Sequence, residues 1–196
     1  MNMSKKEEII IAAHTLFAQK GYLLSMSEIA QIVNLKTQSL YSHFKKKDDI
    51  VWIALQVEIN RAFSIWSKQI ESTDYSDFRA DLQNFFYTII NYYKDSKTLR
   101  LWRNISLIQS IELKQKCKDL IKQKEAELGR LTQKMFISGT AQHIIKSSNL
   151  EGSMILFISM IQGLLDAMLL YENEPSMDME RFIDLAWETY WEGLTR

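Results

Sequence analysis

Six glycines and a single proline, Pro175, are all that 196 residues offer for tight turns. A sheet protein of this length reverses direction many times, and its turns rely on Gly for positive φ and on Pro for a pre-set φ. The chain is therefore expected to be all-α. Hydrophobic residues make up 46%, enough for a real core, which separates it from disordered sequences. The length suits one domain, or one small domain fused to a larger one.

Other classes fall away on local grounds. A single cysteine, Cys117, excludes an internal disulfide and a Cys-based zinc site, and it fits a reducing cytoplasm. At the N-terminus Lys5 and Lys6 are followed at once by Glu7 and Glu8, and the apolar run Ile9–Ala13 is too short for a signal peptide. The longest apolar stretch, Met154–Leu170, is interrupted by Gln162 and Asp166. A membrane span needs roughly 20 apolar residues, and a charge near its centre is costly. A buried helix of a soluble protein is expected there, and no membrane partner. His14, His43 and His143 are scattered, and neither HExxH nor a Gly-rich phosphate loop occurs, so the sequence does not read as an enzyme and implies no cofactor or metal.

The zero net charge hides a division. Residues 1–47 carry seven lysines against Glu7, Glu8 and Glu28, whereas residues 150–196 carry Arg181 and Arg196 against nine acids. A basic beginning and an acidic end suggest that a polyanion meets the first part only. The basic stretch Lys114–Lys134 reads as a solvated helix face.

Along the chain, a first helix is expected from about Ser4 to Lys20, with Ser4, Glu7 and Glu8 forming a cap and acidic first turn and Gly21 a left-handed stop. Ser25 and Glu28 make a capping box for a short second helix, after which Asn34 takes the left-handed turn. A third short helix, "TQSLYSHF", is capped by Thr37 or begins at Lys36. Two helices of about eight residues joined by a tight turn form a helix-turn-helix. Neither is long enough to be stable alone, so the first helix and the start of a fourth, near residues 47–49, must complete the core. Further helices are expected at about 76–95, 97–110, 112–138, 150–172 and 178–194, about nine in all, with breaks at Ser72–Asp77 and around Pro175. The expected division is residues 1–48 for the three-helix head and 49–196 for a helical body.

A helix-turn-helix reads double-stranded DNA by inserting the leading end of its second helix in the major groove. Lys36, Thr37 and Gln38 stand at that end. Gln38 can pair bidentately with adenine, and Lys36 can reach guanine or a phosphate. Ser39, Tyr41 and His43 follow one turn on and suit phosphate oxygens, while Lys45, Lys46 and Lys47 surround the start of the fourth helix.

Residues 5–52 resemble the N-terminal domain of the TetR family of transcriptional regulators. The resemblance is carried by "IIIAAHTLFAQKGY" followed by "SEIAQIVNLKTQSLYSHFKKKDDI". It implies phosphate contacts by Tyr41 and His43, by Lys47 at the start of the fourth helix and by Ser25 at a helix cap, with Ser27 facing the groove and Leu40 and Phe44 in the core. Three positions depart from the family pattern: Asn34 in place of the turn glycine, Lys36 where a small hydroxyl residue often caps, and Gln38 where Gly, Ala or Pro is common.

Heads of this size bind weakly alone and need pairing. In the penultimate helix Ser159, Gly163 and Ala167 fall four apart, a small-residue stripe that admits another helix, and in the last one Phe182, Leu185, Ala186, Thr189 and Tyr190 make a second face. A homodimer through these helices is expected, and the resemblance implies the same. The middle helices are rich in aromatics. An apolar cavity there would hold a small molecule, and the resemblance implies an inducer of unknown identity among these helices. Phe63, Trp66, Phe86, Trp102, Phe136 and Met160 are the candidate lining, with Arg103 and Asp166 as orienting charges. The whole reads as a cytoplasmic homodimeric repressor, released from a palindromic operator when ligand binding favours a spread of heads that misfits DNA.

Overall fold

The computed structural model describes residues 3–195, apart from the side chain of Ser147. Among the described residues there are nine α-helices and no strand: α1 (Lys5–Lys20), α2 (Met26–Ile32), α3 (Thr37–His43), α4 (Lys47–Glu71), α5 (Phe78–Tyr92), α6 (Ser96–Ser106), α7 (Ile111–Ala141), α8 (Leu150–Leu170) and α9 (Met179–Thr195). Single 3-10 turns at Gly21–Leu23 and Ser147–Asn149 link α1 to α2 and α7 to α8.

Local chemistry sets the boundaries. Ser4 and Glu7 form a reciprocal capping box before α1, and Ser25 and Glu28 form a second before α2. Each satisfies backbone N–H groups that a helix start leaves without partners. Asp77 caps α5 through the Ala80 amide at 3.0 Å, and Asp178 accepts from the Arg181 amide at 3.0 Å as α9 begins. Gly21 departs from expectation: its φ of 59° is positive, but its ψ of −143° lies outside the left-handed helical region. The chain leaves α1 into a 3-10 turn instead of a left-handed cap.

Contacts divide the chain into two compact units, Met1–Ala62 with Lys97–Glu125, and Phe63–Ser96 with Ala126–Arg196. The expected boundary at 48/49 falls inside α4, and the division by contacts crosses that same helix further on, at Ala62/Phe63. In the first unit, Ile9, Ala13, Phe17, Ile29, Leu40 and Ile50 are almost fully buried. Each large apolar side chain so buried contributes about 1.5–3 kcal/mol. This common core holds α2 and α3, seven residues each, which have too few turns to persist alone.

The second unit is organised by rings. Phe86 packs on Trp187 with centroids 5.2 Å apart, Phe78 on Phe136 at 5.5 Å, and Phe136 on Phe157 at 5.9 Å. Along one flank of α9, acids spaced four residues apart meet successive partners on α5 and just beyond it: Glu180 with Lys94, Asp184 with the Tyr87 hydroxyl, and Glu188 with Arg79, at 2.9, 2.6 and 3.1 Å.

Helix α8 differs from the buried helix its composition suggests. Its mean hydropathy is 1.9, and by length and composition it could cross a membrane, yet only 28% of that window is buried. Phe157, Ile161, Leu164 and Leu165 face the core, while Ile155, Leu156, Ile158 and Leu170 are exposed. The helix is apolar on nearly all sides, and one layer of neighbours covers only one of them.

Candidate nucleic-acid interface

The turn between α2 and α3 determines which part of α3 is presented. Leu35 N–H donates to the Ala30 carbonyl at 2.9 Å and Asn34 N–H to Gln31 at 3.2 Å, with Asn34 at φ 53°. This double closure is the Schellman arrangement, with Asn34 in the seat glycine usually takes because its short side chain tolerates positive φ. Lys36 occupies the N-cap position of α3 and offers no side-chain cap.

Helix α3 then divides cleanly. Leu40 is fully buried and Phe44, just beyond its end, is 5% exposed, whereas Lys36, Gln38, Ser39, Tyr41 and His43 are exposed and Thr37 is partly so. Tyr41, half exposed at 52%, is therefore a surface residue. The leading end of α3 points outward with its amide, hydroxyl and amine groups together. Ser27 is also exposed, 3.0 Å from the Ser25 hydroxyl. Ser25 is engaged in its capping box: its hydroxyl donates to Glu28 at 2.8 Å and accepts from the Glu28 amide at 3.3 Å. Hydrogen bonds from Lys20 and Ser25 hold the Glu28 carboxyl down at about 2.

Lys47, expected at a phosphate, has partners within the chain: its amine donates to the Tyr22 carbonyl at 2.8 Å and lies 3.7 Å from the centre of the Tyr22 ring. Burial lowers its pKa. The Tyr22 hydroxyl in turn donates to Asp48 at 2.7 Å, so the start of α4 is clasped to the 3-10 turn after α1. Burial, and then Asp48, raise the Tyr22 pKa. Lys45 is exposed, and Lys46 is paired with Glu112 of α7 at 3.0 Å. Sequence reasoning missed both Tyr22 and Glu112. Glu112 lies 66 residues from Lys46 and carries no local signal of the contact.

Of the residues expected to line a ligand cavity, Phe86 and Phe136 are fully buried and packed against neighbouring rings, and Phe63 and Trp66 are nearly so, their own centroids 4.9 Å apart. Met160 is partly exposed and Asp166 exposed. Trp102 and Arg103 belong to the first unit and the other six to the second. Among the expected pairing residues, Ser159, Gly163, Phe182, Leu185 and Thr189 are exposed, and Ala167, Ala186 and Tyr190 are partly so. The Tyr190 hydroxyl donates to the Ser153 carbonyl at 2.9 Å, tying α9 to α8.

Such a head, with a capped scaffold helix, a left-handed turn and a second helix bared at its leading end, defines a helix-turn-helix protein. Residues 9–51 match the family described as bacterial regulatory proteins, tetR family. An HTH-type transcriptional regulator of Staphylococcus aureus (strain bovine RF122 / ET3-1) is 33% identical over 99 residues, which is 50% of this chain and 51% of that protein. The match thus spans about half the length of that relative. Among solved structures, the TetR family transcriptional regulator PfmR from Thermus thermophilus superposes with a TM-score of 0.67 at 21% identity, covering 96% of this chain and 99% of its own. The fatty acid degradation regulator FadR from Bacillus halodurans gives 0.70 at 15% identity, covering 97% and 96%. These last two likenesses concern the fold. The head of the chain is thus similar to that of tetR-family regulatory proteins, and the relatives named here are described as transcriptional regulators.

Proposed function

We propose that the protein is a homodimeric DNA-binding transcriptional regulator, a repressor that leaves a palindromic operator when a small molecule binds its second unit. The observation that carries the reading is the exposed leading end of α3, where Lys36, Gln38 and Ser39 stand together above a buried Leu40. Gln38 and Lys36 meet base edges, while Tyr41, His43 and Lys45 grip phosphates on either side. DNA as partner implies the cytoplasm.

Pairing is supported by the outer face of α8 and α9. Leu156, Ile158 and Leu170 on α8 and Phe182 and Leu185 on α9 are between 41% and 74% exposed. Exposed apolar side chains in this number favour an interface, and a second copy presenting the same two helices would cover them as a four-helix contact. Two heads then engage successive major grooves. The ligand part rests on the aromatic density of the second unit and on the resemblance to the family.

The test is fluorescence anisotropy of the purified protein with labelled palindromic duplexes across a salt series. Phosphate neutralisation by these amines makes the logarithm of affinity fall steeply and linearly with the logarithm of salt concentration. A flat dependence would remove the reading.

A further inference from the structure

We propose that Glu112 competes with DNA for Lys46, holding the amine of the α3–α4 turn against α7 so that binding of the phosphate backbone requires exchange of a carboxylate for a phosphate. The proposal rests on the DNA-binding reading above and adds a residue that weakens it.

Glu112 stands in the first turn of α7, and its two oxygens have different partners: Lys46 at 3.0 Å and Lys116 at 2.8 Å. The Lys46 backbone N–H is also engaged, donating to Asp49 at 3.2 Å. With Lys47 turned onto Tyr22, two of the three consecutive lysines beside the recognition helix are already occupied within the chain. Hydrogen bonds from Lys116 and Lys46 hold the Glu112 carboxyl at about 2, and the pairing with Glu112 raises the Lys46 pKa. Glu112 is therefore charged at every pH at which DNA is bound.

The consequence follows from charge. A phosphate approaching Lys46 while Glu112 stays in place brings two anions to one ammonium, and like charges so placed oppose association. The pair is well solvated, with side chains 51% and 59% exposed, and exposed pairs of this kind are weak and screened by salt. Exchange is thus feasible, and its cost falls on all DNA sequences alike, because Lys46 lies beside the backbone-facing groups rather than at the leading end of α3.

The experiment uses the full chain and labelled duplex of mixed sequence, with anisotropy read across a potassium chloride series. Glu112→Gln is expected to tighten binding at low salt by about threefold or more and to steepen the log–log salt slope by up to about one per head. The gain should vanish when Lys46→Ala is added and persist when Lys116→Gln is added. Unchanged or weaker binding by Glu112→Gln would overturn the proposal. So would a gain that survives Lys46→Ala, since it would then reflect only the general field near the DNA, or one that depends on Lys116. Salt-independent or absent binding by the unsubstituted protein would remove the DNA reading itself, and this inference with it.

Discussion

Asn104 of α6 caps the end of α1: its carboxamide donates to the Phe17 carbonyl at 2.9 Å and lies 3.4 Å from that of Ala18. The last carbonyls of a helix have no partner within it, and here a side chain 87 residues away supplies one. The Gly21 amide reaches the same Phe17 oxygen, and a Cβ on Gly21 would sit 3.2 Å from the Asn104 side chain. Asn104→Ala should lower stability by about 1 kcal/mol, the usual worth of one such bond. Gly21→Ala should cost about 1–3 kcal/mol, because a side chain is strained at its positive φ and crowds Asn104 as well. Urea denaturation of the two variants checks the order, and Gly21→Ala should be the less stable.

The exposed amide of Gln38 makes a prediction about base preference. Gln38→Ala should weaken binding to the preferred site by about 1–3 kcal/mol and relax selectivity at one position of each half-site. Selection from a randomised duplex pool reads the change directly. An unaltered preferred sequence would move base readout to Lys36 or Ser27.

Lys47 and Lys45 should behave oppositely, although they are near neighbours in the chain. Lys47→Met removes an amine that serves Tyr22, so it should lower the melting temperature and leave the salt slope of DNA binding unchanged. Lys45→Ala, at an exposed site, should leave melting unchanged and reduce the slope by about one per half-site. A lowered slope for Lys47→Met would return its amine to the phosphate.

Gly163 separates packing within the chain from packing between chains. A Cβ built there meets nothing within 4 Å. Gly163→Leu should therefore be harmless to the isolated subunit, and even favourable by about 0.8–1 kcal/mol through helix propensity. It should nonetheless hinder a second helix from approaching α8. Sedimentation equilibrium is expected to show a weakened dimer with undiminished helical content by circular dichroism. An unaffected dimer would place the interface elsewhere.

Helix positions were legible because their causes are local. Ser4 with Glu7, Ser25 with Glu28, Asp178 before α9 and the turn at Asn34 all act within a few residues, and apolar spacing marks a helix wherever it runs. The same locality made the bare face of α3 readable, since Leu40 and Phe44 had to turn inward and their neighbours outward. What the chain did with its charged side chains was decided only in three dimensions. Nothing near Lys47 in the sequence announced that its amine would reach the Tyr22 carbonyl, which the 3-10 turn after α1 brings beside it. Lys46 met Glu112, and Phe17 met Asn104, across 66 and 87 residues. An ammonium on a long flexible stem takes whichever oxygen the fold brings within about 3 Å, and no periodicity along the chain encodes which one that will be.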